Sequence, residues 1–166
     1  MLILYAECYI YNQLTDESMS MKKCLAFLLV AFSSFTLADE CAVTIESNDM
    51  MQFNMKEMSV PASCDTFEVT LKHTGQLDKK YMGHNWVLST TADAQEIVNG
   101  ALKAGPDNNY LPPGDERIIA ATKIIGGGEQ DTITVDVAGL TAGEDYTFFC
   151  SFPGHFAIMK GAFIVN

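Results

Sequence analysis

From residue 40 onward, apolar and polar positions alternate with a period of two along most of the chain. Cys41, Val43 and Ile45 fall on one face of a stretch ending at Asn48, with Thr44 and Glu46 on the other, as in a half-buried strand. Asn48-Asp49 is a turn signal. Met51, Phe53 and Met55 continue the alternation towards Met58, and Val60-Pro61-Ala62-Ser63 breaks it. Thr66–His73 alternates most clearly, with Phe67, Val69 and Leu71 inward and Glu68, Thr70 and Lys72 outward. Thr74-Gly75-Gln76 ends that strand. A short strand over Asn85–Ser89 holds the single tryptophan, Trp86. Further strands are predicted over Arg117–Ile125, Asp131–Ala138, Tyr146–Cys150 and about Lys160–Val165.

The period changes once. Ala94, Ile97, Val98, Ala101 and Leu102 recur at helical spacing and form one apolar stripe. Thr90 with Asp93 resembles a capping-box start, and Gly105-Pro106 stops the pattern. The prediction is one inserted helix at about 91–104 in an all-β, Greek-key sandwich of seven or eight strands. Tyr146, just after the Leu140-Thr141-Ala142-Gly143 turn, is placed as a tyrosine corner.

Composition narrows the setting. The 166 residues carry a net charge of -11 and are 48% apolar. That suits one globular domain and argues against nucleic acid or an anionic membrane surface as partner. The N-terminal part reads differently. Met21-Lys22-Lys23, the apolar run Leu25–Leu37 and Thr36-Leu37-Ala38 form a secretory signal over 21–38 with cleavage after Ala38. Residues 1–20 then stand upstream of the natural start, as a gene-model extension or as a tail of unknown use. The expected mature domain is 39–166.

Candidate chemistry lies near the C-terminus. Cys150, His155 and Met159 form C-x4-H-x3-M around Pro153-Gly154, and His84 follows Gly83 on a separate loop. One thiol, two imidazoles and one thioether are the donor set of a mononuclear blue-copper electron-transfer site, soft enough to favour copper over zinc. The loop would bring three donors together between adjacent strands, with His84 at the same end. Gly83 lets backbone approach closely, its carbonyl near the metal. Three cysteines remain after cleavage, so Cys41–Cys64 is the economical disulfide and leaves Cys150 a special thiol. His73, the third histidine, has no soft donor near it in sequence and reads as structural.

The chain from Asp39 to Asn166 resembles the azurin family of blue-copper cupredoxins. Met82-Gly83-His84-Asn85-Trp86-Val87-Leu88-Ser89-Thr90 and Phe148-Phe149-Cys150-Ser151-Phe152-Pro153-Gly154-His155 carry the likeness, with Asn48–Phe53 and Met159-Lys160-Gly161 in support. The resemblance implies His84, Cys150 and His155 as equatorial copper ligands, with Met159 and the Gly83 carbonyl as weak axial ones. It also implies the Cys41–Cys64 disulfide, and Asn85 and the Phe152 amide as groups steadying the Cys150 thiolate. Tyr81 departs from the smaller apolar residue usual at that rim. Ala121 stands where some members have a surface histidine.

The expected function is periplasmic one-electron transfer by Cu(I)/Cu(II) cycling, without enzymatic activity and as a monomer. Met51, Leu77, Tyr81, Met82, Phe152, Pro153, Ala157 and Ile158 would form an apolar docking patch around the His155 edge. The resemblance implies c-type cytochromes and copper nitrite reductase as partners. The alternative is a periplasmic copper-storage or chaperone protein, which would use similar donors without fast electron exchange.

Overall fold

The computed structural model describes residues 40–61 and 63–166. The expected upstream extension and signal segment lie outside the described residues.

Nine strands form two sheets among the described residues. The first sheet has β1 (Ala42–Asn48), β2 (Gln52–Phe53), β4 (Thr66–His73) and β7 (Gln130–Asp136), in the order β2-β1-β4-β7. The second has β3 (Glu57–Val60), β5 (Val87–Thr90), β6 (Ala120–Ala121), β8 (Tyr146–Phe149) and β9 (Lys160–Val165), in the order β3-β9-β8-β5-β6. β1 and β4 run parallel, as do β3 and β9, and the other pairs are antiparallel. This is the expected cupredoxin β-sandwich. Ile45, Phe67, Val69, Leu71, Trp86, Leu88, Val135, Phe148 and Phe163 fill the space between its sheets. The Cys41–Cys64 disulfide closes the start of β1 onto the turn before β4. A loop of this length gives about 3 kcal/mol in the chain-entropy account.

Three elements differ from the expectation. The stretch Met51–Met58 is two strands in different sheets, β2 pairing with β1 and β3 with β9. Asn54 makes the corner: its N–H donates to the Glu46 carbonyl, and its Oδ1 accepts from the Glu46 N–H, both at 2.9 Å. The buried positions change phase across that bend, from Phe53 in β2 to Met58 and Val60 in β3, so the alternation of Met51, Phe53 and Met55 does not run through it. Arg117–Ile125 pairs as a ladder only at Ala120–Ala121. Beyond that, Asp131 Oδ2 accepts the Lys123 N–H at 2.8 Å and Asn109 Oδ1 accepts the Ile124 N–H at 3.0 Å. Side chains thus take hydrogen bonds that a longer strand would have used. Third, a short helix α1 (Lys79–Met82) with Asp78 as N-cap stands where none was predicted.

The inserted helix α2 runs over Ala94–Ala104. Ala94, Ile97 and Ala101 are buried, but Leu102 is 75% exposed, so the apolar stripe is narrower than the sequence suggests. Thr90 and Asp93 do meet, Thr90 Oγ1 donating to Asp93 Oδ2 at 2.7 Å. They brace the turn before the helix rather than cap its N–H groups. Tyr146 makes the tyrosine corner, its hydroxyl accepting the Thr141 N–H at 2.9 Å.

Candidate metal centre

One end of the sandwich gathers the loops that carry the donors. Cys150 directly follows β8, with its N–H donating to the Met159 carbonyl at 2.9 Å. The chain then folds tightly: the His155 N–H donates to the Phe152 carbonyl at 3.0 Å, and the Met159 N–H to the His155 carbonyl at 2.8 Å. These turns point His155 back at Cys150. His84 is fixed from the other side by a two-way backbone bridge with Ile125, at 3.0 and 2.9 Å.

His84 Nδ1 lies 3.2 Å from His155 Nδ1, and Cys150 Sγ lies 3.9 and 3.7 Å from those two nitrogens. The centre of a circle through the three atoms is about 2.1 Å from each, which matches metal–imidazole and approaches metal–thiolate bond lengths. All three side chains are buried. The triangle therefore fits one ion of the soft, imidazole-accepting kind.

Electrostatics follow from that burial. Desolvation lowers His84 and His155 to about 4 each, so both rings are neutral at pH 7. For His84 the hydrogen bond to the Asn48 carbonyl opposes the shift. Burial pushes the Cys150 thiol up to about 12, against the opposite pull of the Asn85 and Phe152 backbone N–H groups directed at the sulfur. His84 Nε2 donates to the Asn48 carbonyl at 2.9 Å. In the neutral ring this leaves the Nδ1 lone pair facing the triangle.

The surrounding groups hold these orientations. Asn85 is fully buried; its Oδ1 accepts the Ser151 N–H at 2.8 Å, and its Nδ2 donates to Ser151 Oγ at 2.8 Å and to the Asn109 carbonyl at 3.1 Å. Gly83 has an ordinary extended backbone. Its lack of a side chain matters for space, because a Cβ there would press on the Lys79 carbonyl and come within 2.6 Å of Ile124 Cγ2. Met159 is wholly buried at the end of the donor loop.

The predicted docking residues all reach the surface at this end. Leu77, Tyr81, Ala157 and Ile158 are exposed, while Met51, Met82, Phe152 and Pro153 are half-buried. Tyr81 is 70% exposed.

Sequence reasoning missed several groups. His73 is not remote from the donors: it is fully buried and its ring stacks on His84 at 4.7 Å and 23°. Its Nδ1 accepts the Gly75 N–H and its Nε2 donates to the Met82 carbonyl, both at 3.0 Å. The inward phase of β4 was the available signal, since His73 follows Leu71 by two. Asn109, in a left-handed conformation (φ 53°), joins the Cys150 loop to Ile124. The Asn48 carbonyl has no side-chain signature at all. Met50, 66% exposed, enlarges the apolar surface on the same turn.

Comparison with known proteins agrees with this geometry. The family described as copper binding proteins, plastocyanin/azurin family, matches residues 39–166. The chain is 57% identical over 134 residues to azurin from Bordetella pertussis, covering 81% of this chain and 89% of that protein. It is 60% identical over 122 residues to azurin-1 from Alcaligenes xylosoxydans xylosoxydans, covering 74% and 95%. A solved structure of azurin Az-iso2 from the obligate methylotroph Methylomonas sp. strain J superposes with a TM-score of 0.74 at 45% identity, covering 76% of this chain and 98% of that one.

Proposed function

We propose that this chain, which belongs to the plastocyanin/azurin family of copper-binding proteins, carries single electrons in the periplasm through one copper ion held by His84, Cys150 and His155. Membership makes it a cupredoxin electron carrier with copper as cofactor, not an enzyme, and its partners are redox proteins. The ligand assignment rests on one observation, the triangle of two imidazole nitrogens and one sulfur whose centre is about 2.1 Å from each. Met159 and the Gly83 carbonyl are the weak axial donors in this reading.

When bound, copper supplies the one-electron Cu(I)/Cu(II) couple. The residues supply the rest. His84 is held by the Asn48 carbonyl and the His73 stack, and Cys150 by the Asn85–Ser151 hydrogen bonds. Donors fixed in this way move little between oxidation states, which keeps the reorganisation accompanying electron transfer small. Burial of His84, Cys150 and Met159 keeps water away from the donors. His155 is 3% exposed, the part of the set nearest the solvent, and its ring packs 4.6 Å from Phe152 within the apolar surface. Electrons therefore enter and leave at the His155 edge, through brief docking on Met51, Leu77, Tyr81, Met82, Phe152, Pro153, Ala157 and Ile158.

The same reading places the working domain at 39–166, exported as a monomer after loss of the 21–38 signal, with c-type cytochromes and copper nitrite reductase as partners. The Cys41–Cys64 disulfide suits an oxidising compartment. Copper-loaded protein is expected to be intensely blue when oxidised and colourless when reduced. A Cys150→Ser variant that stays blue refutes the ligand assignment.

A further inference from the structure

Asp49 sits on the turn between β1 and β2 and uses its carboxylate at long range. Oδ2 accepts the Gln76 N–H at 2.8 Å and Oδ1 accepts the Leu77 N–H at 3.2 Å, across 27 and 28 residues. The carboxylate lies so close over Gly75 that a Cβ at that position would overlap it. Hydrogen bonding to the Gln76 N–H leads the effects that hold this carboxyl below the usual carboxylate range, so the clamp is ionised at neutral pH.

The 48–51 turn touches His84 directly, and the 75–77 loop reaches it through His73. The 48–51 turn carries the Asn48 carbonyl that accepts the His84 Nε2–H at 2.9 Å. Gly75 donates its N–H to Nδ1 of His73, whose ring stacks on His84. Besides the packing of half-buried Met51 on the core, the turn's own hydrogen bonds are internal: the Met51 N–H donates to the Asn48 carbonyl at 3.2 Å, and the Met50 N–H to Asn48 Oδ1 at 2.9 Å. The contacts that cross to the neighbouring loop are those of Asp49 and, one position before the turn, the Ser47 carbonyl with Thr74, whose N–H donates at 2.8 Å and Oγ1 at 3.0 Å.

We propose that Asp49 is a positioning residue for the copper centre, its carboxylate holding the Asn48 carbonyl against the His84 Nε2–H by tying the 48–51 turn to the 75–77 loop. The proposal rests on His84 as a ligand. It adds a specific job for a surface carboxylate: Asp49 fixes which His84 nitrogen carries the proton and how the ring is turned. Its negative charge also favours the more positive oxidation state of a metal held at Nδ1, so removing the charge raises the reduction potential.

The test uses Asp49→Asn, Asp49→Ala and Gly75→Ala. Asparagine keeps an acceptor without the charge. Gly75→Ala leaves Asp49 in place, and its new Cβ drives the carboxylate out. In the metal-free protein, solvent exchange of the His84 Nε2–H is followed by nitrogen-15 NMR, with thermal unfolding as a check on overall stability. The signal is expected to exchange roughly tenfold faster or more in Asp49→Ala and in Gly75→Ala, as local opening is no longer resisted by hydrogen bonds to a charged group. In Asp49→Asn, which keeps one acceptor and turns an NH2 towards the second N–H, the rate is expected to lie between those of the wild type and Asp49→Ala. In the copper-loaded protein, Asp49→Asn raises the potential without changing the visible spectrum, whereas Asp49→Ala changes both. If His84 exchanges at the wild-type rate in both Asp49→Ala and Gly75→Ala, the proposal is wrong. A wild-type protein that fails to turn blue would instead overturn the copper-ligand reading, and the metal-free exchange data would still judge Asp49.

Discussion

Loading the metal-free protein should release one proton per copper at pH 6, and that number follows from burial. Histidines and a thiol with ordinary values would respond differently. Two imidazoles titrating near 6.5 are together about 1.5-fold protonated at pH 6, so binding would displace about 2.5 protons including that of the thiol. In this protein desolvation puts His84 and His155 at about 4, so both are already neutral, and Cys150 at about 12, so it still carries its proton. Binding must remove that single proton. Ionising the thiol at pH 7 without a metal costs about 7 kcal/mol, at 1.36 kcal/mol for each of about five pH units. The bound cation offsets that cost, and the apparent affinity should rise tenfold per pH unit between about pH 5 and 9. Isothermal titration calorimetry at pH 6 in two buffers of different ionisation enthalpy measures the count, with Zn(II) beside Cu(II) as a redox-inert control. Cys150→Ser should release none. Two or more protons from the wild type would mean solvated histidines, and none would mean a preformed thiolate. Either result refutes the electrostatic account.

Three further outcomes are expected. Asn85→Leu keeps the volume but strands the buried Ser151 N–H and weakens the hold on Asn109. It should lower the stability of the metal-free protein by about 2–4 kcal/mol in urea denaturation, and an unchanged midpoint would remove Asn85 from the scaffold. The metal-free protein should also lose stability as the pH falls from 6.5 towards 4. Because His84 and His155 are depressed to about 4 in the fold, the unfolded chain binds more protons across that window; urea midpoints that stay flat from pH 7 to 4.5 would contradict this. Met82→Glu should slow electron exchange with a redox partner while leaving the copper colour intact, as stopped-flow spectroscopy would report, and unchanged rates would dismiss Met82 from the docking surface.

Much of the architecture could be read from residue order because it depends on local periodicity. The alternation in Thr66–His73 reappears as β4 with Phe67, Val69, Leu71 and His73 all buried. Cys150, His155 and Met159 lie close in sequence, and Pro153-Gly154 marks the turn between them, so their loop was evident. The disulfide followed from a count of cysteines. Such features need only a strand's two-residue repeat, a helix's stripe or a short closed loop, each set by neighbouring residues.

Tertiary structure decided the rest, because backbone carbonyls, crossings between sheets and desolvation leave no mark in a local pattern. Alternation read straight through Met55 did not separate β2 from β3, whose buried positions change phase across the Asn54 corner, from Phe53 to Met58 and Val60. It overextended Arg117–Ile125, because the acceptors that end the ladder come from Asn109 and Asp131. His73, read as a structural histidine with no soft donor near it in sequence, stacks on His84, a contact across 11 positions that no local pattern records. Residue order named Cys150 and both histidines. Only burial determines that the thiol holds its proton and the imidazoles lose theirs. Only the packing of the His84 loop against the Cys150–Met159 loop turns those residues into a triangle that one ion can fill.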